Sequence, residues 1–406
     1  MRLLMITTGY LPYLFSENLC NAKLVYAFHE TGIQVDVISR VDEGPVYESE
    51  WQTPWKELRN GAYEIHYPLG SCIRRAVDVA YSGWVMDNHY EAGVRWARRA
   101  YEQALKLMKI HHYDALLTRS PTDISHVVGM KLKEKTGIKW LSNWNDPADP
   151  IWPEPYKHTY STGGQRKKEK QTAQLLKMAD VNTFPSETLR DHFIEHFPFL
   201  KDKLTEVIPH IGLSDSIFKH KPIQKARILR MCHSGNLSAE RNPELTFKAM
   251  RALIDEGQDK FRLDIMGYAN DYTQELIEKY GLQHHVKMIG SYTYIEAINK
   301  MLDYDVLVLI EAQLRRGIFF ASKFTDYAQT GRPIFAISPI EGFAATMLSD
   351  YGGGISADNT SEKDIMNGLK LLLSAWETGN LAQYVSDGLY KMFSPQFVIE
   401  KYTQMI

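Results

Sequence analysis

The chain has 406 residues, 44% of them hydrophobic and 24% charged, with 47 Lys and Arg against 49 Asp and Glu. That length exceeds one typical core and fits two domains of roughly 200 residues, and the composition excludes a disordered or collagen-like chain. A formal net charge of -2 lacks the cationic surplus of a sequence-independent nucleic-acid binder, so no nucleic-acid partner is expected and small ligands fit better.

The opening run MRLLMITTGYLPYLF breaks at Thr7, Thr8, Gly9, Tyr10 and Pro12, which suits a first β-strand rather than a signal peptide. Short apolar runs then alternate with helix-period segments, the pattern of parallel sheets covered by helices. Strands are expected at 2–7, 33–39, 114–118, 138–142, 180–184 and 205–209. A helix near 90–110 puts Val94, Ala97, Tyr101, Ala104 and Met108 on one face and mostly charge on another. Segment 43–65 lacks a clean period and is read as an irregular insertion with one strand at Ala62–His66. Between 210 and 227 the pattern lapses into polar residues, and a new alternation starts at Ile228. It predicts strands at 228–233, 261–267, 286–289, 305–310 and 333–337, with helices near 241–256, 271–280, 293–302, 322–330 and 341–349. The expected domains are 1–212 and 213–385, with 386–406 forming a helix that returns to the first. No run approaches ~18 apolar residues, so no membrane span is expected. Cys20, Cys72 and Cys232 are scattered and not in metal-ligand spacing, which suits a reducing compartment, hence a cytoplasmic protein, at the inner face of the plasma membrane if it meets a bilayer.

In open parallel sheets ligands bind beyond the carboxyl ends of the strands. After 228–233 comes His233-Ser234-Gly235-Asn236-Leu237, then Arg241 and a helix. Glycine there admits a phosphate to the backbone and the helix start favours an anion, although a strand followed by glycine is also a common turn. After 305–310 comes a loop and then Ser322-Lys323-Phe324-Thr325-Asp326-Tyr327. Lys323 and Asp326 are three apart, on one face of a first helical turn: either a diphosphate cation with a ribose-binding carboxylate, or a solvated ion pair.

The run ASKFTDYAQTGRPIFAI, the loop and helix CHSGNLSAERNPELTFKAM, then LDIMG, VKMIGSYTYIEAINKMLDYDVLVLI and the opening MRLLMITTGYLPY occur in the chain. Together they resemble the retaining glycosyltransferase family four. The resemblance implies the α/β GT-B fold, two Rossmann-like domains with parallel sheets facing across a cleft. By it, Asp326 stands where the second glutamate of the family's Glu, seven residues, Glu motif holds the ribose. Lys323 and Arg241 become the catalytic diphosphate cations, Ser322 belongs to the signature, and Gly235 and Asn236 offer backbone donors. Gly290, Ser291 and Tyr292 stand where the base is held. Ile318 replaces the first glutamate, which the serine-lysine branch often lacks.

Asp303-Tyr304-Asp305 imitates a metal-binding Asp-x-Asp but precedes its strand, and Glu341-Gly342-Phe343 lies after the wrong strand, so both are read as structural. On the acceptor side, Gly9 and Tyr10 resemble the family's first loop, although Phe15-Ser16-Glu17-Asn18 replaces its paired glycines. Asp146, in the acidic Trp-Pro loop at 143–153, is the first acceptor-side catalytic candidate, against a simple Asx turn. His126 is a further acceptor-side candidate, or a structural histidine at a helix start. Arg74, Arg75, Trp84, Arg95, Trp96, Arg98 and Arg99 form a basic-aromatic stretch suited to peripheral contact with anionic lipid or a lipid diphosphate, or to packing.

The implied reaction moves a sugar from a nucleotide sugar to a glycan or lipid-linked acceptor in surface polysaccharide or glycoconjugate assembly. Configuration is retained, with no metal and no cofactor. Rival readings are a degenerate nucleotide-sugar-binding protein, given Ile318, and a nucleotide-sugar epimerase on the same architecture. An NAD-dependent oxidoreductase is disfavoured, because no G-x-G-x-x-G follows either first strand.

Overall fold

The computed structural model describes residues 1–12, 15–41, 54–66, 71–87, 89, 92–222 and 226–406. The chain divides into two compact units, Met1–Ser214 with Pro395–Ile406, and Asp215–Ser394. Among the described residues, no helix is long and apolar enough to cross a membrane.

In the first unit the strands are β1 (Arg2–Thr7), β2 (Gln34–Val41), β3 (Ala62–His66), β4 (Ala115–Arg119), β5 (Trp140–Asn143), β6 (Val181–Phe184) and β7 (Thr205–Val207). Helices α1 (Ser16–Glu30), α2 (Cys72–Val85), α3 (Val94–Ile110), α4 (Ile124–Thr136), α5 (Thr162–Met178) and α6 (Glu187–His196) connect them. The sheet runs β3-β2-β1-β4-β5-β6-β7, and each neighbouring pair is parallel. The apolar runs become buried strands because helices cover both faces of the sheet. Of the face that the period predicts, α3 buries Val94, Ala97 and Ala104 and leaves Tyr101 and Met108 half-buried, while Arg95, Trp96, Ala100 and Leu107 are buried as well.

The second unit has β8 (Leu229–Ser234), β9 (Phe261–Met266), β10 (Val286–Gly290), β11 (Val306–Ile310), β12 (Ile334–Ser338) and β13 (Gly354–Asp358). They alternate with α7 (Glu244–Asp255), α8 (Asp271–Lys279), α9 (Tyr294–Met301), α10 (Lys323–Thr330), α11 (Phe343–Tyr351), α12 (Glu362–Glu377) and α13 (Asp387–Lys391). The order β10-β9-β8-β11-β12-β13 is again parallel throughout. Strand β13 was not expected from the sequence, since Gly-Ile-Ser-Ala-Asp carries no apolar run.

Helix α14 (Pro395–Thr403) belongs to the first unit. It lies on α1, where the Tyr402 ring meets Phe28 with centroids 5.6 Å apart. In both sheets the strand order reverses beside the first strand, between β1 and β4 and between β8 and β11. In open parallel sheets such a reversal is where loops part and leave room for a ligand at the carboxyl edge.

Candidate functional site

At the β8/β11 switch point, Gly235 follows β8 with φ +121°, a conformation that side chains rarely adopt. A Cβ on Gly235 would lie 2.2 Å from Lys323 Nζ, so the missing side chain is the space into which the ammonium is laid. Gly267, after β9, approaches just as closely: its Cβ would come 2.7 Å from the Gly235 carbonyl oxygen. Its N–H donates to the Gly290 carbonyl at 3.0 Å, which sets the ends of β8, β9 and β10 side by side. Asn236 is exposed, and its side-chain oxygen accepts from the Tyr268 N–H at 2.9 Å. Ser291 and Tyr292 are exposed at the end of β10. Beneath the loop, the buried Tyr327 hydroxyl accepts from the Ser234 N–H at 2.8 Å.

Lys323 opens α10, with Ser322 as the residue before it. Burial pushes its ammonium down to about 7; Arg241 lowers it further, while Glu311 pulls it back up. Glu311 follows β11 directly, and burial pushes its carboxyl up to about 7 against the pull of Arg241 and Lys323. Arg241 is exposed in the turn before α7. Asp326, one turn into α10, is 8% exposed and accepts from the Tyr294 hydroxyl at 2.7 Å. The sequence had marked Lys323, Asp326, Arg241 and Gly235 but not Glu311, whose signal was its place immediately after a wholly apolar strand.

The loop between β11 and α10 is fixed by a bridge between Gly317 and Gly342, with the Gly317 N–H donating to the Glu341 carbonyl at 2.7 Å. Phe320 stacks on Phe343 at 3.7 Å between centroids. Ile318 is 2% exposed, so an apolar core residue stands where the resemblance expects a carboxylate. Asp305 lies at the incoming end of β11, where its carboxylate accepts from the Arg230 N–H at 2.8 Å and from Arg230 Nη2 at 2.9 Å. Among the described residues no group of three His, Cys, Asp or Glu is placed to hold a metal ion.

The first unit has a polar cluster at its own switch point. Asn21 Nδ2 donates to the Gly9 carbonyl and Asn18 Nδ2 to the Tyr10 carbonyl, both at 2.7 Å, so the loop after β1 is held from α1. The Tyr10 side chain is itself buried. Arg119, at the end of β4, donates to Asn21 Oδ1, to the Tyr402 hydroxyl at 3.0 Å and to Glu17 Oε1 at 3.4 Å. Glu17 Oε1 also accepts from Asn145 Nδ2. Burial pushes Glu17 up to about 7, opposed by Arg119 and reinforced by Asp146. Asp146 is half-buried next to this cluster. Glu17 and Arg119 were not singled out by the sequence; nothing local distinguishes them before the sheet brings them together.

His126 is placed away from any surface. It is fully buried, 2.7 Å from Thr118 Oγ1, with its ring 4.1 Å from that of Trp144, and burial pushes it down to about 3. It is a neutral core group. The basic-aromatic stretch also separates. Trp96 is fully buried and donates to the Ser39 carbonyl at 3.2 Å, while Arg95, Arg98 and Arg99 all reach Asp78. Arg74, Arg75 and Trp84 remain exposed on α2.

Residues 215–387, most of the second unit, match the family model described as Glycosyl transferases group 1. No curated protein sequence matches the chain. Among solved structures, HepE of Anabaena in complex with UDP and glucose is similar over 100% of this chain and 98% of its own, with a TM-score of 0.69 at 15% identity. Sucrose-phosphate synthase of Thermosynechococcus elongatus covers the same shares, with a TM-score of 0.66 at 13% identity. A glycosyltransferase of Rickettsia africae gives 0.66 at 14%, over 100% of this chain and 97% of that one. These likenesses show the fold, GT-B, with two Rossmann-like units.

Proposed function

We propose that the chain transfers a sugar, with retention of configuration, from a nucleoside diphosphate sugar to a glycan or lipid-linked acceptor in surface polysaccharide or glycoconjugate synthesis. The observation that carries this reading is the Lys323 ammonium laid against Gly235 at the switch point of the unit that matches the group 1 glycosyltransferase model. A half-buried cation beside exposed backbone and a second cation, Arg241, suits a diphosphate. Asp326, already oriented by Tyr294, is a carboxylate suited to accept from a ribose hydroxyl.

Charge grows on the departing diphosphate as the glycosidic bond breaks, and Lys323 and Arg241 are fixed cations for that charge. The leaving phosphate accepts the proton of the incoming hydroxyl, so neither a protein nucleophile nor a metal is called upon. Asp146, beside Glu17, is our acceptor-side candidate. HepE, whose structures hold UDP-glucose and UDP with glucose, makes uridine diphosphate sugars the first donors to test.

Thermal shift and calorimetry against UDP-, GDP-, ADP- and CMP-linked sugars test the donor site. One nucleotide class should stabilise the protein, and Lys323→Ala should remove that shift and lower turnover about 100-fold or more. Near-normal turnover in Lys323→Ala would refute the assignment. NMR of the product anomer then tests retention.

A further inference from the structure

Helix α2 carries much of its apolar surface on its outward face. Its seam with α3 is polar: Asp78 pairs with Arg95 at 2.5 Å, Arg98 at 3.1 Å and Arg99 at 3.2 Å, and the residues it buries are Ser82 and Gly83. Val79 and Val85 are half-buried against the core, while its other large apolar side chains face water. Ile73, Val77, Tyr81 and Trp84, spaced four, four and three apart, are 80%, 65%, 50% and 67% exposed. That spacing makes one stripe along the helix. A soluble surface tolerates single exposed apolar residues, whereas a contiguous stripe marks a surface that something covers.

The neighbouring charges indicate what covers it. Arg74 and Arg75 are exposed in the same first turns as Ile73 and Val77, and the Arg98 guanidinium lies over the Tyr81 ring, 5.1 Å from its centroid. The Tyr81 and Trp84 rings are 6.1 Å apart, an aromatic pair of the kind that settles between headgroups and acyl chains. Apolar wedge, aromatic pair and cations on one helix are the elements of an interfacial membrane helix.

We infer that α2 seats the first unit on an anionic lipid bilayer, with Ile73, Val77, Tyr81 and Trp84 entering the interface and Arg74 and Arg75 meeting lipid phosphates. The surface is separate from Lys323 and its partners, so this inference does not depend on the transfer reaction.

The test is sedimentation of the full chain with phosphatidylcholine vesicles containing about a third phosphatidylglycerol, against phosphatidylcholine alone. Binding is expected on the anionic vesicles and is expected to weaken between ~0.1 M and ~0.5 M salt. Ile73→Ser with Trp84→Ser should reduce the partition coefficient about tenfold or more, and Arg74→Glu with Arg75→Glu should do so on anionic vesicles only. All four positions are exposed, so an unchanged melting temperature checks folding. Cys72 is exposed while Cys20 and Cys232 are buried; an environment-sensitive dye on Cys72 should shift to the blue with vesicles. Absence of binding to either vesicle overturns the inference, as does binding indifferent to the Ser pair. A dimer that the Ser pair dissociates, without vesicle binding, assigns the stripe to a second copy and overturns it too.

Discussion

Lys323 is held where an amine is uncomfortable. With an ordinary value of 10.5 pushed down to about 7, it carries its charge at a cost whenever the folded protein keeps it protonated. The folded state binds fewer protons than the unfolded state between those two pH values, so stability from this group rises with pH across that window. Lys323→Met should therefore stabilise the protein most below about pH 7 and lose the advantage toward pH 10.5, as read by urea denaturation at several pH values. The gain is on the order of 1 kcal/mol or more, since each unit of displacement is worth about 1.4 kcal/mol. A diphosphate placed on Lys323 would restore its affinity for the proton, and would also raise Glu311. Calorimetry in buffers of different ionisation enthalpy should then show proton uptake with the donor at pH 7 to 8, and none in the Lys323→Met, Glu311→Gln double variant.

Among the elements, α14 is the one whose placement rests on few side chains. Tyr402 covers Phe28 and accepts from Arg119, a buried guanidinium that also serves Asn21 and Glu17. Tyr402→Ala should destabilise the first unit by about 3–5 kcal/mol, and Tyr402→Phe by about 1–2 kcal/mol, because it strips one partner from a buried donor. Chemical denaturation followed by tryptophan fluorescence reads both. Most strands were legible in the sequence because a buried parallel strand must be apolar along its whole length, as Val306–Ile310 is. Strand β13 was not, for a tertiary reason: a Cβ on Gly354 would lie 2.0 Å from the Ile334 carbonyl oxygen, so its glycine marks close backbone packing, not a turn. Helix α2 was hidden because its apolar spacing points outward, and the burial of Trp96 and the pairing of Arg95, Arg98 and Arg99 with Asp78 separate it from the stretch read with it. The place of Lys323 and Asp326 in the first turn of a helix beyond β11 could be read from strand, loop and helix alone. Glu311, Glu17 and Arg119 acquire their character from burial and from neighbours distant in sequence, which no local pattern carries.

Over the whole molecule, two cores lie in two units, one gathered around residues such as Leu4, Trp140 and Phe193, the other around Phe247, Val308 and Phe335. Each unit also holds a carboxyl group pushed up by burial from 4.5 to about 7, Glu17 in the first and Glu311 in the second. A raised value means that the folded unit keeps a proton the unfolded chain has lost, so this contribution falls as pH rises from 4.5 to about 7. Scanning calorimetry should show Glu17→Gln flattening that decline for the first unit and Glu311→Gln for the second, while a bound nucleotide sugar raises the second unit's transition. The second unit also stands, in sequence, inside the first: Asp215–Ser394 interrupts a fold that Pro395–Ile406 completes. On the ribosome the polypeptide emerges from its beginning. The unit translated first must therefore wait, with Phe28 and the Arg119 guanidinium uncovered, until the whole of the other has been made, so a chain stopped short at Ser394 would present an intact second unit beside a first one open to chaperones and proteases.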